Sequence, residues 1–486
     1  MTACTHRRVS PLYTLLLALL FVLSGMSSPA AAKPSSRIST VPLPDAIPSV
    51  PLRFDPPKAK RFLTGNGLVF HVLPDHELPL VSLTLAVRAG SMYEPQGKEG
   101  LAELTAKVMR EGGAAKMSGD TLDETLAFMA AGIEPSTGKE AVTWKMDVMK
   151  KDLPEAMDLL VQILREPRFD EGKLALLRDL TLEDLRRIAD DPPRLAFREF
   201  NRRLYAEQAR GRLPSRQSVQ DLTKEDLQRF HRDFYHPGNM VMALSGDITE
   251  ENAVRLVTEH FGQWPSLSPP GPVPIPVKAP GASLFYLIKD TPQSIVVAGH
   301  FAPAKRSPEY HAFETLDFIL GSGGFNSHIF QEIRTNRGLS YSTGSFYRPA
   351  PEFGVFGVYA MTKTDAAVEA LGLLLKILED SRERMPENQK VDRAKRAILN
   401  SFVFKYQSSS QIAEQQMLLE FHSLPADFLP AYTVKVERLT GADLWEAAKD
   451  HIHPDKMVVV VLGNEKGYAE MKRRYPKMER VDMEHD

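Results

Sequence analysis

Leu222–Gly246 reads LTKEDLQRFHRDFYHPGNMVMALSG, and Leu439–Gly463 reads LTGADLWEAAKDHIHPDKMVVVVLG. The two stretches lie 217 residues apart, align without a gap and agree at ten of 25 positions. Their common frame is Leu-Thr-x-x-Asp-Leu, a later Asp, His-Pro, Met-Val and a closing Gly. Thr223 and Thr440 are suited to start a helix by capping its free amides. His236-Pro237 and His453-Pro454 end that helix, because the residue before proline is pushed out of helical geometry. The apolar run that follows has the composition of a buried strand. A gapless match of this length marks an internal repeat. Each half of the chain is therefore predicted to close on the same helix–turn–strand unit, and the halves to share one fold.

The flanking sequence agrees. Leu68–Val72 and Leu80–Val87 are predicted strands with a turn at Pro74-Asp75, and Leu284–Ile288 and Ser294–His300 take the same places in the second half. Helical patterns fill the middles: Glu99–Met109, Thr121–Ala131, Leu153–Leu164, Glu171–Ala189, Tyr310–Leu320 and Asp365–Glu383. The expected class is α+β, two homologous domains, each a mixed or antiparallel sheet covered on one face by helices. The boundary between them is a stiff linker, for Pro265–Pro280 holds seven prolines in 16 residues. The domain plan is then 61–264 and 282–474, with a Pro-rich extended segment at 33–60, the linker at 265–281 and a charged tail at 475–486.

Residues 1–32 read as a secretory signal: Arg7 and Arg8, an apolar stretch from Leu12 to Leu23, and an A-x-A site at Ala30-Ala31-Ala32. Cleavage there is expected to leave a periplasmic or otherwise secreted chain of 454 residues without stable membrane insertion. It also removes Cys4, the single cysteine, and so excludes a disulfide framework, a cysteine-based zinc site and a cysteine nucleophile. Lys plus Arg total 60 against 62 for Asp plus Glu, which excludes a general polyanion or nucleic-acid binder.

Gly65–Gly113, GNGLVFHVLPDHELPLVSLTLAVRAGSMYEPQGKEGLAELTAKVMREGG, carries a resemblance. Asn66-Gly67-Leu68, Pro79-Leu80-Val81, the Gly90–Glu94 turn and Gly100-Leu101-Ala102 look like the amino-terminal signature of the pitrilysin/insulinase family of zinc metallopeptidases. That family places His-x-x-Glu-His next, with two ligands on one helical face and a Glu as general base. Here the positions read Glu103, Leu104, Thr105, Ala106, Lys107. Glu103 could still bind a metal, Ala106 has no proton chemistry, and the Lys107 ammonium offers no lone pair. The third-ligand region falls at Glu183 and Asp184. The resemblance therefore implies a degenerate zinc motif, with no catalytic residue and no metal bound by this chain. His311-Ala312-Phe313-Glu314-Thr315 is the nearest similar string and lacks the second His; it reads as a helix with an apolar face. His451 and His453 read as turn residues.

Phe330–Ser345, FQEIRTNRGLSYSTGS, is similar to the family's substrate-side motif, in which an Arg and a Tyr seven residues later face the peptide. Those positions are Arg334 and Tyr341, with Arg337 a less well spaced competitor. An Arg fork can hold a peptide carbonyl or carboxylate, and a Tyr hydroxyl can donate to a developing oxyanion. Together the motifs imply a non-catalytic subunit that joins a paralogous zinc-bearing peptidase subunit around a peptide substrate, the zinc residing in the partner. A structural or peptide-binding clamshell with no peptidase role is the alternative.

Overall fold

The computed structural model describes residues 56–206, 208–271, 273–275 and 283–482. The expected signal, nearly all of the first Pro-rich segment and part of the linker lie outside these residues. Among the described residues no helix is long and apolar enough to cross a membrane.

The first half holds strands β1 (Lys60–Leu63), β2 (Val69–Pro74), β3 (Leu80–Val87), β4 (Gly132–Thr137), β5 (Val142–Met149) and β6 (Met240–Gly246), in sheet order β1-β2-β6-β3-β5-β4. The second holds β7 (Ser283–Ile288), β8 (Gln293–Ala302), β9 (Ser340–Pro349), β10 (Gly354–Lys363), β11 (Val458–Gly463) and β12 (Glu479–Val481), in order β12-β7-β11-β8-β10-β9. The repeated unit supplies the strand that divides each half's opening pair. β6 runs parallel to β2 and antiparallel to β3, as β11 does to β7 and β8. Its helix starts identically twice. Asp226 N–H donates to Thr223 Oγ1 while the Asp226 carboxylate accepts from the Thr223 amide, and Asp443 and Thr440 repeat the exchange. The shared Asp of the repeat is thus the third residue of a capping box.

One reading is corrected. Residues 475–486 are not simply a charged tail: Glu479–Val481 form β12, parallel to β7. Three residues, two of them charged, give no periodicity from which to see an edge strand.

The α+β halves are as expected, and the structure adds a feature. On one face of the first sheet Phe70, Leu83, Leu85, Met242 and Leu244 join a core with the half's own helices, Leu101–Glu111 and Leu153–Arg165 among them. On the other face Leu73, Ala86, Val241 and Ala243 pack against Ile412, Ala413 and Met417 from helix Ser409–Phe421, which belongs to the second half. The second sheet receives the converse. Ala196, Phe200 and Leu204 of helix Pro192–Tyr205, from the first half, cover Phe285, Val297, Val458 and Val460. This exchange explains why β6 and β11 are apolar without alternation: both of their faces are buried. Each Phe or Leu so buried stabilises by about 1.5–3 kcal/mol. Gly299 makes the fit possible, since a Cβ there would lie 2.7 Å from Phe200 Cζ and 2.5 Å from the Phe356 carbonyl oxygen. Arg61 fastens one exchanged helix with a two-toothed ion pair to Glu420, at 2.9 and 3.0 Å.

Candidate functional site

Helix Leu101–Glu111 begins where Gly100 adopts φ 100°, a left-handed conformation natural to glycine. Glu94, 4% exposed, accepts from the Ala102 amide at 2.8 Å and so caps the helix. Burial raises its carboxyl to about 7, against the amides of Ala102 and Gly100, which favour the charged form. One turn along, Lys107 Nζ lies 2.7 Å from the Glu103 carboxylate. Ala106, 1% exposed, faces the core between them.

Helix Glu171–Ile188 packs beside this one. Glu183 points to its own helix, accepting from Arg186 at 2.8 Å and Arg187 at 2.9 Å. Asp184 instead accepts two bonds from Arg194, at 3.0 and 2.7 Å. Its carboxyl is held below the usual range by that guanidinium first and by the Lys107 charge as well, while Glu103 acts on Arg194 in turn. Glu103, Lys107, Asp184 and Arg194 therefore form one ionic group across three helices. The motif positions do converge, as the family pattern requires, but two cations stand among the two acids. Zinc does not fit such a donor set: each carboxylate already has a cation, and Lys107 would repel a second. Among the described residues no three His, Cys, Asp or Glu side chains are grouped so as to hold a metal ion.

Of the other candidate strings, the one at His311 is in the core. His311 is buried between Tyr310 and Tyr432, and burial lowers its ring to about 4. Glu314 accepts from the Tyr432 hydroxyl at 2.7 Å. The His453 amide donates to His300 Nε2 at 3.1 Å, a turn contact.

Arg334 sits on the wide-turned helix Phe330–Asn336, which Gly338 in a left-handed conformation (φ 63°) turns into β9. Gly321 lets the preceding helical segment touch that strand, for a Cβ there would meet the Ser345 amide at 2.2 Å. The Arg334 guanidinium lies 4.3 Å from the Tyr341 ring, 4.7 Å from Phe330 and 5.7 Å from Phe325. Tyr341 is 82% exposed and Phe325 69% exposed. Arg337 is turned aside, 3.6 Å from Glu369. Among the described residues no carboxylate pairs with Arg334, and Glu332 accepts from Asn336 instead. The outcome is a partly exposed cation set against aromatic rings beside the exposed Tyr341 ring, a group able to receive a carbonyl or carboxylate. Phe325 and Phe330 are parts of the site that the Arg–Tyr spacing did not disclose; the aromatic run FNSHIF before Arg334 is the signal that could have done so.

Comparison with known proteins places these features. The model for the insulinase family, peptidase family M16, matches residues 72–213, and the model for the peptidase M16 inactive domain matches residues 221–398. Together they span about two-thirds of the chain, and the chain belongs to the insulinase (M16) family. An uncharacterized zinc protease of Streptomyces coelicolor is 30% identical over 281 residues, 56% of this chain and 60% of that protein. The alignment thus spans less than two-thirds of that relative. A Helicobacter pylori protein named as the non-peptidase homolog YmxG is 23% identical over 399 residues, 81% of this chain and 91% of that one. In structure, a peptidase M16 inactive domain from Pseudomonas fluorescens superposes with a TM-score of 0.78 at 24% identity, covering 84% of this chain and 98% of its own. The periplasmic protease PqqL of Escherichia coli gives 0.73 at 15% identity, covering 94% of this chain and 51% of its own.

Proposed function

We propose that this protein is an exported, non-catalytic subunit of a zinc peptidase, acting in the periplasm. It joins a zinc-bearing paralogue to close a chamber around peptides. Its own degenerate motif holds no metal, and Arg334 and Tyr341 orient the substrate while the partner supplies metal and base. The observation that carries this reading is the Lys107–Glu103 pair at 2.7 Å, backed by Arg194 on Asp184, in the place where a peptidase would keep its ligands. The exposed Arg334–Tyr341 stack supports the substrate role. The family and the non-peptidase name of one relative are consistent with it.

The test is metal analysis and peptide hydrolysis with the purified chain, alone and with a paralogue that keeps His-x-x-Glu-His. Alone it is expected to hold no stoichiometric zinc and to cleave nothing; with the paralogue, cleavage rises well above that of the paralogue alone. Chelator-sensitive cleavage by the single chain would overturn the proposal. Failure to associate with the paralogue would favour the peptide-binding clamshell.

A further inference from the structure

Away from both patches, a cavity of about 410 Å³ opens at the seam between the halves. Four cations line it: Lys139 from the β4–β5 turn, Arg210, Lys305, and Arg348 on β9. The only carboxylate among its lining residues is Glu140, beside His422. Glu140 is already engaged, for Arg210 Nη1 donates to it at 2.8 Å and His422 Nδ1 lies 3.3 Å away. Burial works to raise the Glu140 carboxyl, but those two partners hold it at about 2, so it stays charged and committed to them.

The other three cations are left over. Among the described residues no carboxylate lies within ion-pair distance of Lys139, Lys305 or Arg348. Lys139 Nζ reaches only the Arg212 carbonyl, at 3.3 Å. Arg348 is exposed, with its guanidinium carbon 4.7 Å from the centre of the Phe346 ring. Lys305 is pulled below its ordinary range by burial, with Lys405 adding to the fall against Glu314 and Glu140. Lys139 is lowered likewise by desolvation, opposed by Glu94 and reinforced by Arg198, Arg210 and Arg212. Surplus positive charge gathered around a cleft draws anions in and orients them. Phe353 and Val355 give the same cavity an apolar wall. At about 30 Å³ per water, it has room for roughly a dozen waters, more than a lone ion fills.

We propose that this cavity binds a carboxylate of a peptide, from an Asp or Glu side chain or a free C-terminus. The assignment rests in part on the peptide-handling role proposed above, because β9 carries both Tyr341 and Arg348. Both lie on the edge strand of the second sheet, seven residues or about 24 Å apart if the strand is fully extended.

Binding is measured on the full chain without any partner, so its outcome is separate from the question of subunit pairing. The probes are three fluorescent octapeptides: amidated with a central Glu-Glu, amidated with Gln-Gln, and Gln-Gln with a free C-terminus. Inorganic phosphate is titrated alone and as a competitor. The Glu-Glu or the free-carboxylate peptide is expected to bind at least about tenfold more tightly than the amidated Gln-Gln peptide, as for a charge-assisted hydrogen bond. Lys305→Gln and Arg348→Gln, each checked for an unchanged melting temperature, should each erase most of that preference and leave the amidated Gln-Gln peptide unaffected. Equal binding of all three peptides by the wild-type chain overturns the proposal without recourse to any variant. So does a preference that survives both substitutions, or phosphate that binds as tightly as the acidic peptides and displaces them, which would make this a small-anion site.

Discussion

The degenerate motif of the first half and the Arg–Tyr patch of the second are both built from charged side chains, yet they are finished differently. Around Glu103, Lys107, Asp184 and Arg194 every charge has a partner within the molecule. Around Arg334 the charge is set on aromatic rings, and among the described residues no carboxylate pairs with it. A site whose charges are mutually satisfied has little left to offer a ligand; one whose cation is held by ring faces keeps its hydrogen bonds for something else. The difference supports the proposed division of roles between the two halves.

The strongest way to break the contrast is to rebuild the first region. Glu103→His with Lys107→His restores the two helix ligands, but Arg194 still occupies Asp184. Adding Arg194→Ala should tighten zinc by about 10- to 100-fold over the double variant, as expected when a neighbour that misdirects a ligand is removed. Equal zinc affinity by competition titration would show that Arg194 does not govern the group.

Next in size is the buried cap beneath that helix. Glu94 has its folded carboxyl raised to about 7, above its ordinary value of 4.5, so the folded state binds the extra proton between those values. Its contribution is then most favourable at low pH and is lost as pH rises towards 7. Glu94→Gln should flatten the pH dependence of unfolding between pH 5 and 7.5 by roughly 2 kcal/mol relative to the parent. Denaturant melts that show the same slope in both proteins would refute it.

In the second region, Tyr341→Phe removes the exposed hydroxyl and keeps the ring that Arg334 stacks on. Turnover by the reconstituted complex should fall by about tenfold, as when one ordinary hydrogen bond of about 1.4 kcal/mol is lost, with no loss of assembly. An unchanged rate would take Tyr341 out of the site. The smallest effect is expected for Lys107→Ala. Its pair with Glu103 is solvent-exposed, so stability should change by less than about 0.5 kcal/mol and zinc content not at all. A large destabilisation would mean that the ionic group, and not the apolar side of the helix, holds this region together.

Much of the fold was legible because it is written locally. Thr223, Asp226, His236 and Pro237 state a helix start and stop within 15 residues, and Thr440 to Pro454 repeat them. What could not be read was the partner of each apolar face. Nothing near Val241 says that Met417 will cover it, nor does anything near Phe200 name Gly299. The site divides the same way. Arg334 and Tyr341 stand seven residues apart, and the altered ligand positions 103 and 107 and base position 106 fall on one helix, so both were visible as patterns. Arg194 reaches Asp184 across a helix junction, and the cavity cations come from separate segments between Lys139 and Arg348, distances that no local pattern spans.

The exchange of helices between halves also sets a schedule. A ribosome finishes β6 more than 160 residues before it reaches helix Ser409–Phe421, so the face of Val241 and Ala243 has no cover until late in synthesis. The first half cannot complete its fold early and wait, as independent domains do. Contacts this distant in sequence also slow folding once it starts. A chain that stays uncommitted until nearly all of it is made would suit the proposed export, in which it crosses a membrane unfolded and closes on the far side.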